Sequence, residues 1–130
     1  MRRKKPILVY CADRELLSAS VLALRLHPYE VTAADDSSKA AELMLADRTR
    51  LACAVLIHAR QDDVVGTLID RLLKSDLCVP LLLVDRVGDL APVRNVGMVL
   101  YGRNTSMAHI LAALRILCKR KRGPRPRGAK

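Results

Sequence analysis

The chain contains five short hydrophobic runs, each of a length typical of a β-strand, and helix-like stretches follow them. The runs cover residues 6–11, 29–33, 51–58, 79–85 and 96–101. Alternation of strands and helices predicts a parallel sheet that helices cover on both faces. In such a sheet, ligands and catalytic groups lie at the carboxyl ends of the strands. The residues at and just past the end of each run are therefore the candidates for function.

Length and composition favour a single domain with an aliphatic core. The chain has 130 residues, of which 51% are hydrophobic but only 2% are aromatic. With three Tyr and no Phe or Trp, aromatic platforms for stacking single-stranded bases are scarce. The longest apolar runs, 51–57 and 79–84, are far shorter than the roughly 20 residues that span a bilayer. We expect no membrane span.

The amino terminus and the cysteines indicate a reduced, cytoplasmic protein. The segment after the first basic residues lacks the hydrophobic region of a signal peptide, so we expect a cytoplasmic location. The cysteines form no CxxC pair and lie within or beside predicted buried elements, so we expect them to be reduced and free of disulfides. They are Cys11, Cys53, Cys78 and Cys118.

The net charge of +10 is confined to the two ends of the chain. Residues 6–118 contain 12 Lys and Arg against 13 Asp and Glu and thus carry a charge of −1. The remainder belongs to a basic N-terminal arm, residues 1–5, and to a basic tail, residues 119–130, which we expect to be disordered. The candidates for binding an anionic partner are Arg2, Arg3, Lys4, Lys5, Lys119, Arg120, Lys121, Arg122, Arg125, Arg127 and Lys130.

The basic ends have two interpretations. They either keep the chain soluble or attach it electrostatically to nucleic acid, to an anionic membrane surface or to an acidic protein. The predicted last helix runs antiparallel to the strands. Both ends should therefore leave the domain at the pole opposite the candidate site.

Helical periodicity predicts a helix after each of the first, second, third and fifth strands. The predicted caps of these helices are Asp13, Ser37 or Ser38, Asp62 or Asp63, and Thr105 or Ser106. Only about ten residues separate the fourth and fifth strands, and they include Gly88 and Pro92. We therefore expect a shortened fourth helix in that interval.

Residues 5–118 resemble a response-regulator receiver domain in the order and spacing of their segments. The likeness lies in residues 6–17 (PILVYCADRELL), 29–43 (YEVTAADDSSKAAEL), 79–84 (VPLLLV) and 99–114 (VLYGRNTSMAHILAAL). The resemblance implies an α/β fold, with a three-layer, flavodoxin-like parallel sheet of five strands in the order 2-1-3-4-5. It also implies a role in two-component, or phosphorelay, signal transduction.

The resemblance further implies a reaction that this chain is not equipped to perform. Receiver domains transfer a phosphoryl group to an aspartate at the end of the third strand, and an acidic pair after the first strand holds Mg²⁺. By position, the acidic pair corresponds to Cys11 and Ala12, and the acceptor corresponds to His58. Neither an alanine nor a neutral imidazole supplies the oxygen ligands of Mg²⁺. Asp13 is one position late and is predicted to cap a helix, so we expect a degenerate receiver with no enzymatic activity and no cofactor.

Two further pocket positions also depart from the family. Asp85 replaces the hydroxyl residue after the fourth strand, and Arg103 replaces the lysine after the fifth. Their opposite charges predict an ion pair that closes the pocket, and a role in binding a ligand is the alternative interpretation of the two residues. A second interpretation has Cys11 and His58 facing each other, either as a zinc site completed by Asp85 or Asp13 or as a Cys–His nucleophile. Both of these rank below an ordinary buried cysteine and histidine, so we predict no metal site.

These features predict a stand-alone signalling module that binds a partner protein without phosphorylation, through the last helix and its neighbouring strand. No output domain follows in the sequence, so the effect is expected to pass through that partner. A homodimer is a further expectation, because receivers often pair through the region around the fourth helix. The alternative is a small nucleic-acid-associated protein that uses its basic arms. Binding that requires residues 119–130 and falls steeply with salt would favour this alternative.

Overall fold

The sheet has five parallel strands in the predicted order. The computed structural model describes residues 4–47, 49–60, 64–75, 79–88, 97–103 and 105–119. Its strands are β1 (Lys5–Cys11), β2 (Tyr29–Ala34), β3 (Cys53–His58), β4 (Leu81–Asp85) and β5 (Met98–Tyr101). They pair in the order β2-β1-β3-β4-β5, and every pair is parallel. The predicted flavodoxin-like topology is therefore confirmed.

Helices cover both faces of this sheet. Those in the described ranges are α1 (Arg14–Arg25), α2 (Ser37–Ala46), α3 (Val65–Lys74) and α4 (Met107–Lys119). Helices α1 and α4 pack on one face, where Leu24 and Leu117 are fully buried. Helices α2 and α3 pack on the other face, where Met44 and Leu72 are fully buried. The domain thus has three layers and two hydrophobic clusters, one on each side of the sheet.

This coverage explains why the central strands are hydrophobic throughout. Every residue of β3 and β4 is buried, because helices on both faces leave no side of the strand to water. Tyr10 and Tyr29 are the aromatic residues of the described core, and aliphatic side chains dominate the rest. The predicted aliphatic core is confirmed.

Two predicted helix caps, those of α1 and α4, are confirmed. The Asp13 carboxylate accepts a hydrogen bond from the backbone N–H of Leu16 at 3.1 Å. Ser106 precedes α4, and its hydroxyl accepts a hydrogen bond from the backbone N–H of His109 at 3.3 Å. The Nδ1 atom of His109 in turn lies 2.9 Å from the Ser106 hydroxyl oxygen. The start of each helix at the carboxyl edge of the sheet is therefore fixed by local hydrogen bonds.

The prediction for the cap of α2 is wrong. The cap is Asp36, which directly precedes the predicted Ser37 and Ser38, and its carboxylate accepts a hydrogen bond from the backbone N–H of Lys39 at 3.0 Å. Asp36 has an extended backbone, which the capping position requires. A carboxylate also interacts favourably with the positive end of the helix dipole, and a serine hydroxyl lacks that charge.

Several predictions fall outside the described residues. They concern the caps Asp62 and Asp63, Cys78, the shortened helix around Pro92, Arg2, Arg3 and residues 120–130 of the basic tail. Helix α3 itself begins after Val64, which makes no side-chain capping bond. The nucleic-acid interpretation of the basic ends stays a prediction.

The two ends of the described domain lie together, as predicted. The Lys5 ammonium, at the start of β1, donates a hydrogen bond to the backbone carbonyl of Cys118, in the last turn of α4, at 3.2 Å. The carboxyl edge of the sheet is at the opposite pole. Among the described helices, none combines the length and the apolar character needed to cross a membrane.

Candidate functional site

An open cavity of about 780 Å³ lies at the carboxyl edge of the sheet. Its lining residues follow β1, β3, β4 and β5, which end side by side because the strands are parallel. They are Asp13, Glu15, Leu16, Ala59, Arg60, Arg86, Val87 and Arg103. Of the six residues that the sequence places in the degenerate pocket, Asp13 and Arg103 line this cavity, and Cys11, Ala12, His58 and Asp85 do not.

The structure does not bring Cys11 and His58 face to face. In the parallel pairing of β1 with β3, Cys11 is aligned with Ile57, and both belong to the cluster under α1 and α4. Successive strand side chains point to opposite faces, so His58 points to the other side of the sheet. Both residues are buried, with at most 1% of their surface exposed. The interpretation as a zinc site or a Cys–His nucleophile is therefore wrong.

The predicted ion pair between Asp85 and Arg103 is also absent from the described structure. The Asp85 side chain is buried, and its Oδ1 atom accepts hydrogen bonds from the backbone N–H of Val87 at 3.2 Å and of Gly88 at 2.7 Å. Its Oδ2 atom is buried without a hydrogen-bond partner in that structure. Arg103 is exposed on the cavity wall. The Asp85 carboxylate bonds to these amides because the turn after β4 places them only two and three residues away. No long side chain has to be ordered for these bonds to form.

His58 and Asp85 directly precede residues that line the cavity, Ala59 and Arg86. They are aligned across β3 and β4 and end their strands at the same level. The backbone carbonyl of His58 accepts a hydrogen bond from the N–H of Arg86, and the carbonyl of Asp85 accepts one from the N–H of Gly102, both at 3.0 Å. Backbone bonds thus link the ends of β3, β4 and β5 into one rigid edge.

Two arginines that the sequence reasoning missed form the wall of the cavity. Arg60 lies two residues past β3, and its Nη2 atom is 3.5 Å from the backbone carbonyl of Ala12. Arg86 directly follows β4, and its Nη1 atom donates to the backbone carbonyl of Thr105 at 3.4 Å. The signal was present in the sequence, since each arginine comes within two residues of a predicted strand end.

The cavity wall has an excess of positive charge. Three guanidinium groups line it, from Arg60, Arg86 and Arg103, against the carboxylates of Asp13 and Glu15. In the described structure none of these carboxylates makes an ion pair with any of the three; the ion pairs present there are Arg14–Asp35 and Arg50–Glu30. Asp13 is also engaged by the first turn of α1. Anions are therefore favoured over cations at this site.

The site does not suit the Mg²⁺ ion that receiver chemistry requires. Magnesium needs a compact set of oxygen ligands. Asp13 instead caps a helix, and Asp85 accepts a hydrogen bond from Gly88 N–H in the turn after β4. Over the described ranges, no group of three or more His, Cys, Asp or Glu side chains is placed to hold a metal. The guanidinium groups on the cavity wall would in addition repel a cation bound there.

A pair of thiols lies at the opposite pole of the sheet. Cys53 begins β3 and is fully buried, and half-buried Cys118 of α4 packs against the same cluster. The interaction between the two thiol side chains is the main reason why the pKa of Cys118 is lowered and that of Cys53 is raised. The positive charge of Lys5 also lowers the pKa of Cys118. Burial raises the pKa of nearby Tyr29.

In three dimensions the chain is similar to receiver domains of response regulators. A response-regulator receiver domain protein from Clostridium thermocellum superposes with a TM-score of 0.77 at 12% identity, over 88% of this chain and 94% of that chain. The signal receiver domain of the putative response regulator NarL from Mycobacterium tuberculosis gives 0.71 at 18% identity, over 92% and 100%. The signal receiver domain of an HD domain-containing protein from Pseudomonas fluorescens gives 0.72 at 24% identity, over 90% and 96%.

These similarities establish the receiver-type fold. No protein-family model matches the sequence, and no curated protein matches it at a significant level. The arrangement of the strands is therefore shared with receivers, whereas the residues at the carboxyl edge must be interpreted from their own chemistry.

Replacing Asp85 tests the role of the turn after β4. Asp85→Ala is expected to lower the free energy of unfolding by about 1.5–3 kcal/mol, because a charged acceptor of two amide hydrogen bonds is lost. Arg103→Gln is expected to change it by less than about 0.5 kcal/mol, since Arg103 is exposed and unpaired with Asp85. Urea denaturation measures both variants. Equal, large losses in the two variants would instead support the ion pair.

Alkylation tests the thiol pair. Because the Cys53 side chain lowers the pKa of Cys118, Cys53→Ala is expected to raise that pKa and to move the alkylation of Cys118 to higher pH. The measurement is the rate of reaction of Cys118 with iodoacetamide across a pH series, followed by peptide mass spectrometry. Cys11→Ala, at the other end of β1, is the control and should leave the midpoint pH unchanged. A midpoint that stays fixed or falls in Cys53→Ala would contradict the pairing.

Proposed function

We propose that this chain is a receiver-like signalling module of the two-component type that binds a partner protein without being phosphorylated. His58 carries the proposal. It ends β3, at the position of the phosphoacceptor in the family that the fold resembles, and only 1% of its surface is exposed. An imidazole there cannot form an aspartyl phosphate, and burial keeps it from a phosphodonor in the cavity.

The carboxylates that remain near the cavity support the same conclusion. Asp13 holds the first turn of α1 and Asp85 holds the turn after β4, so each is committed to backbone amides. Glu15 lies on the exposed wall of the cavity. In both Asp13 and Asp85 these bonds occupy Oδ1, so each carboxylate is held in place by two backbone amides. The proposal therefore includes no phosphoryl transfer and no catalytic activity.

Contacts between β4, β5 and α4 support a module held in one state. The carbonyl of Asp85 accepts a hydrogen bond from Gly102 N–H, and the Thr105 hydroxyl donates to the carbonyl of Gly102 at 2.8 Å. The Arg86 side chain reaches the carbonyl of Thr105. These bonds connect the end of β4 to the start of α4 through protein atoms alone. In the proposal, a partner meets the surface that these bonds hold together.

The surface formed by β5 and α4 offers anchors for that partner. Strand β5 is an edge of the sheet, and on this surface Tyr101 is 69% exposed and Ile116 is 50% exposed. An open cavity of about 370 Å³ adjoins Tyr101 and reaches His109 of α4. An exposed aromatic side chain beside a concave surface is typical of the anchors that dominate protein interfaces. The sequence-based expectation of the last helix and its neighbouring strand as the docking surface thus stands as part of the proposal.

A phosphorylation assay tests the proposal. The protein is incubated with acetyl phosphate and Mg²⁺, and its intact mass is measured before and after treatment with hydroxylamine, which removes acyl phosphates. The expected result is no mass gain, because the chain lacks an accessible acceptor carboxylate with bound Mg²⁺. A phosphorylatable receiver domain treated in parallel shows that the reagents are active. A stoichiometric, hydroxylamine-sensitive gain in this chain would contradict the proposal.

A further inference from the structure

We propose that the carboxyl-edge cavity binds a small amphiphilic anion, whose acidic head lies among Arg60, Arg86 and Arg103 and whose short alkyl chain enters an adjacent apolar cavity. The class of ligand is a phosphate monoester or carboxylate that carries such a chain. This inference goes beyond the proposed function, because it assigns a ligand to the pocket and is independent of any protein partner.

The arrangement of the three arginines favours an anionic head. Arg60 and Arg86 each direct one guanidinium nitrogen to a backbone carbonyl, which positions their other N–H donors at the cavity. Arg103 adds a third guanidinium group that makes no hydrogen bond or ion pair within the described structure. The planar fork of arginine matches the oxygens of phosphates and carboxylates in two-point contacts. The three guanidinium groups outnumber the two carboxylates on the same wall, those of Asp13 and Glu15, so the cavity lining keeps a positive charge that favours an anion.

The neighbouring cavity is apolar and lies between α1 and α4. It has a volume of about 250 Å³ and is lined by Ala19 and Ala23 of α1, Ile57 of β3, and Met107 and Ile110 of α4. The two alanines are one helical turn apart, and their small side chains leave the space open. It is smaller than the roughly 300–1,000 Å³ that pockets for drug-sized ligands enclose, so the chain that fits is short.

The two cavities adjoin each other. Leu16 and Arg86 line both of them. The Arg86 side chain is half-buried, and its guanidinium group is tied to the carbonyl of Thr105, which lines the apolar cavity. Its apolar stem and charged head therefore stand at the boundary between an apolar space and a cationic one. One ligand with a charged end and an apolar end would fill both spaces.

Calorimetric titration of the full chain tests the inference with three probes: octyl phosphate below its critical micelle concentration, inorganic phosphate and octanol. Each buried methylene is expected to strengthen binding roughly fourfold, so octyl phosphate should bind at least about tenfold more tightly than phosphate. Octanol, which has the same chain but no charged head, should bind at least about tenfold more weakly than octyl phosphate. A fourth probe, octanoate, has a carboxylate head on an alkyl chain of similar length. Comparing its affinity with that of octyl phosphate shows whether the cavity selects phosphate or accepts any acidic head. Equal affinities for octyl phosphate and phosphate, or no binding of octyl phosphate, would overturn the inference.

Variants assign the two ends of the ligand. Arg103→Gln is expected to weaken octyl phosphate at least about fivefold, through the loss of a charge-assisted contact. Ala19→Leu fills the apolar cavity and should remove the advantage of octyl phosphate over phosphate while leaving phosphate affinity unchanged. Arg71→Gln is the matched control, since Arg71 is an exposed arginine of α3 on the other face of the sheet. A loss in Arg71→Gln equal to that in Arg103→Gln, or full binding in Ala19→Leu, would contradict the assignment. Neither result bears on the phosphorylation assay, so failure of this inference and failure of the proposed function are distinguishable.

Discussion

Parallel pairing of five strands is the constraint on which the rest of the structure depends. Each connection between parallel neighbours must return along the outside of the sheet, and the helices that do so bury both faces. The central strands then have no polar face, and side-chain chemistry is left to the edges where strands meet loops. In this chain the carboxyl edge carries the charged cavity, and the opposite edge carries the junction of Lys5 with Cys118.

At the carboxyl edge, Asp13 and Asp85 have a structural role, and three arginines face the open space together with Asp13 and Glu15. Asp13 and Asp85 each satisfy backbone amides that would otherwise lack partners at a helix start and in a tight turn. Arg60, Arg86 and Arg103 line the cavity instead. A receiver of the usual kind needs the reverse arrangement, with carboxylates open to a cation and a donor. The proposals of phosphorylation-independent binding and of an anion site both rest on this exchange of roles.

The fold was predictable from the sequence because it depends on patterns that local chemistry imposes. Hydrophobic runs between helical stretches were sufficient to predict a parallel sheet covered by helices, and the resemblance to receiver domains supplied the strand order. Strands β3 and β4 begin at Cys53 and Leu81, each later than predicted. The caps Asp13 and Ser106 were predictable because a capping side chain bonds to amides only a few residues away.

Details of the site depend on geometry that those patterns do not contain. Cys11 and His58 lie on opposite faces of the sheet because of the register of β1 against β3. Knowing only that both residues end strands does not supply that register. Asp85 bonds to amides in its own turn, and a prediction from opposite charges overlooked this local competitor. The pairing of Cys53 with Cys118 joins residues far apart in sequence, so only the packed α4 reveals it.

In this account, Asp13 and Asp85 bind backbone amides at the carboxyl edge and are not available to a cation. The most direct test of this central claim is a titration of the ¹⁵N-labelled protein with MgCl₂ at constant ionic strength, monitored through the backbone amide chemical shifts. If Asp13 and Asp85 are committed to the backbone, the amides of residues 11–13, 58–60 and 85–88 should show no saturable shift. Saturable shifts confined to these three segments would demonstrate a cation site among the carboxylates and would contradict the account.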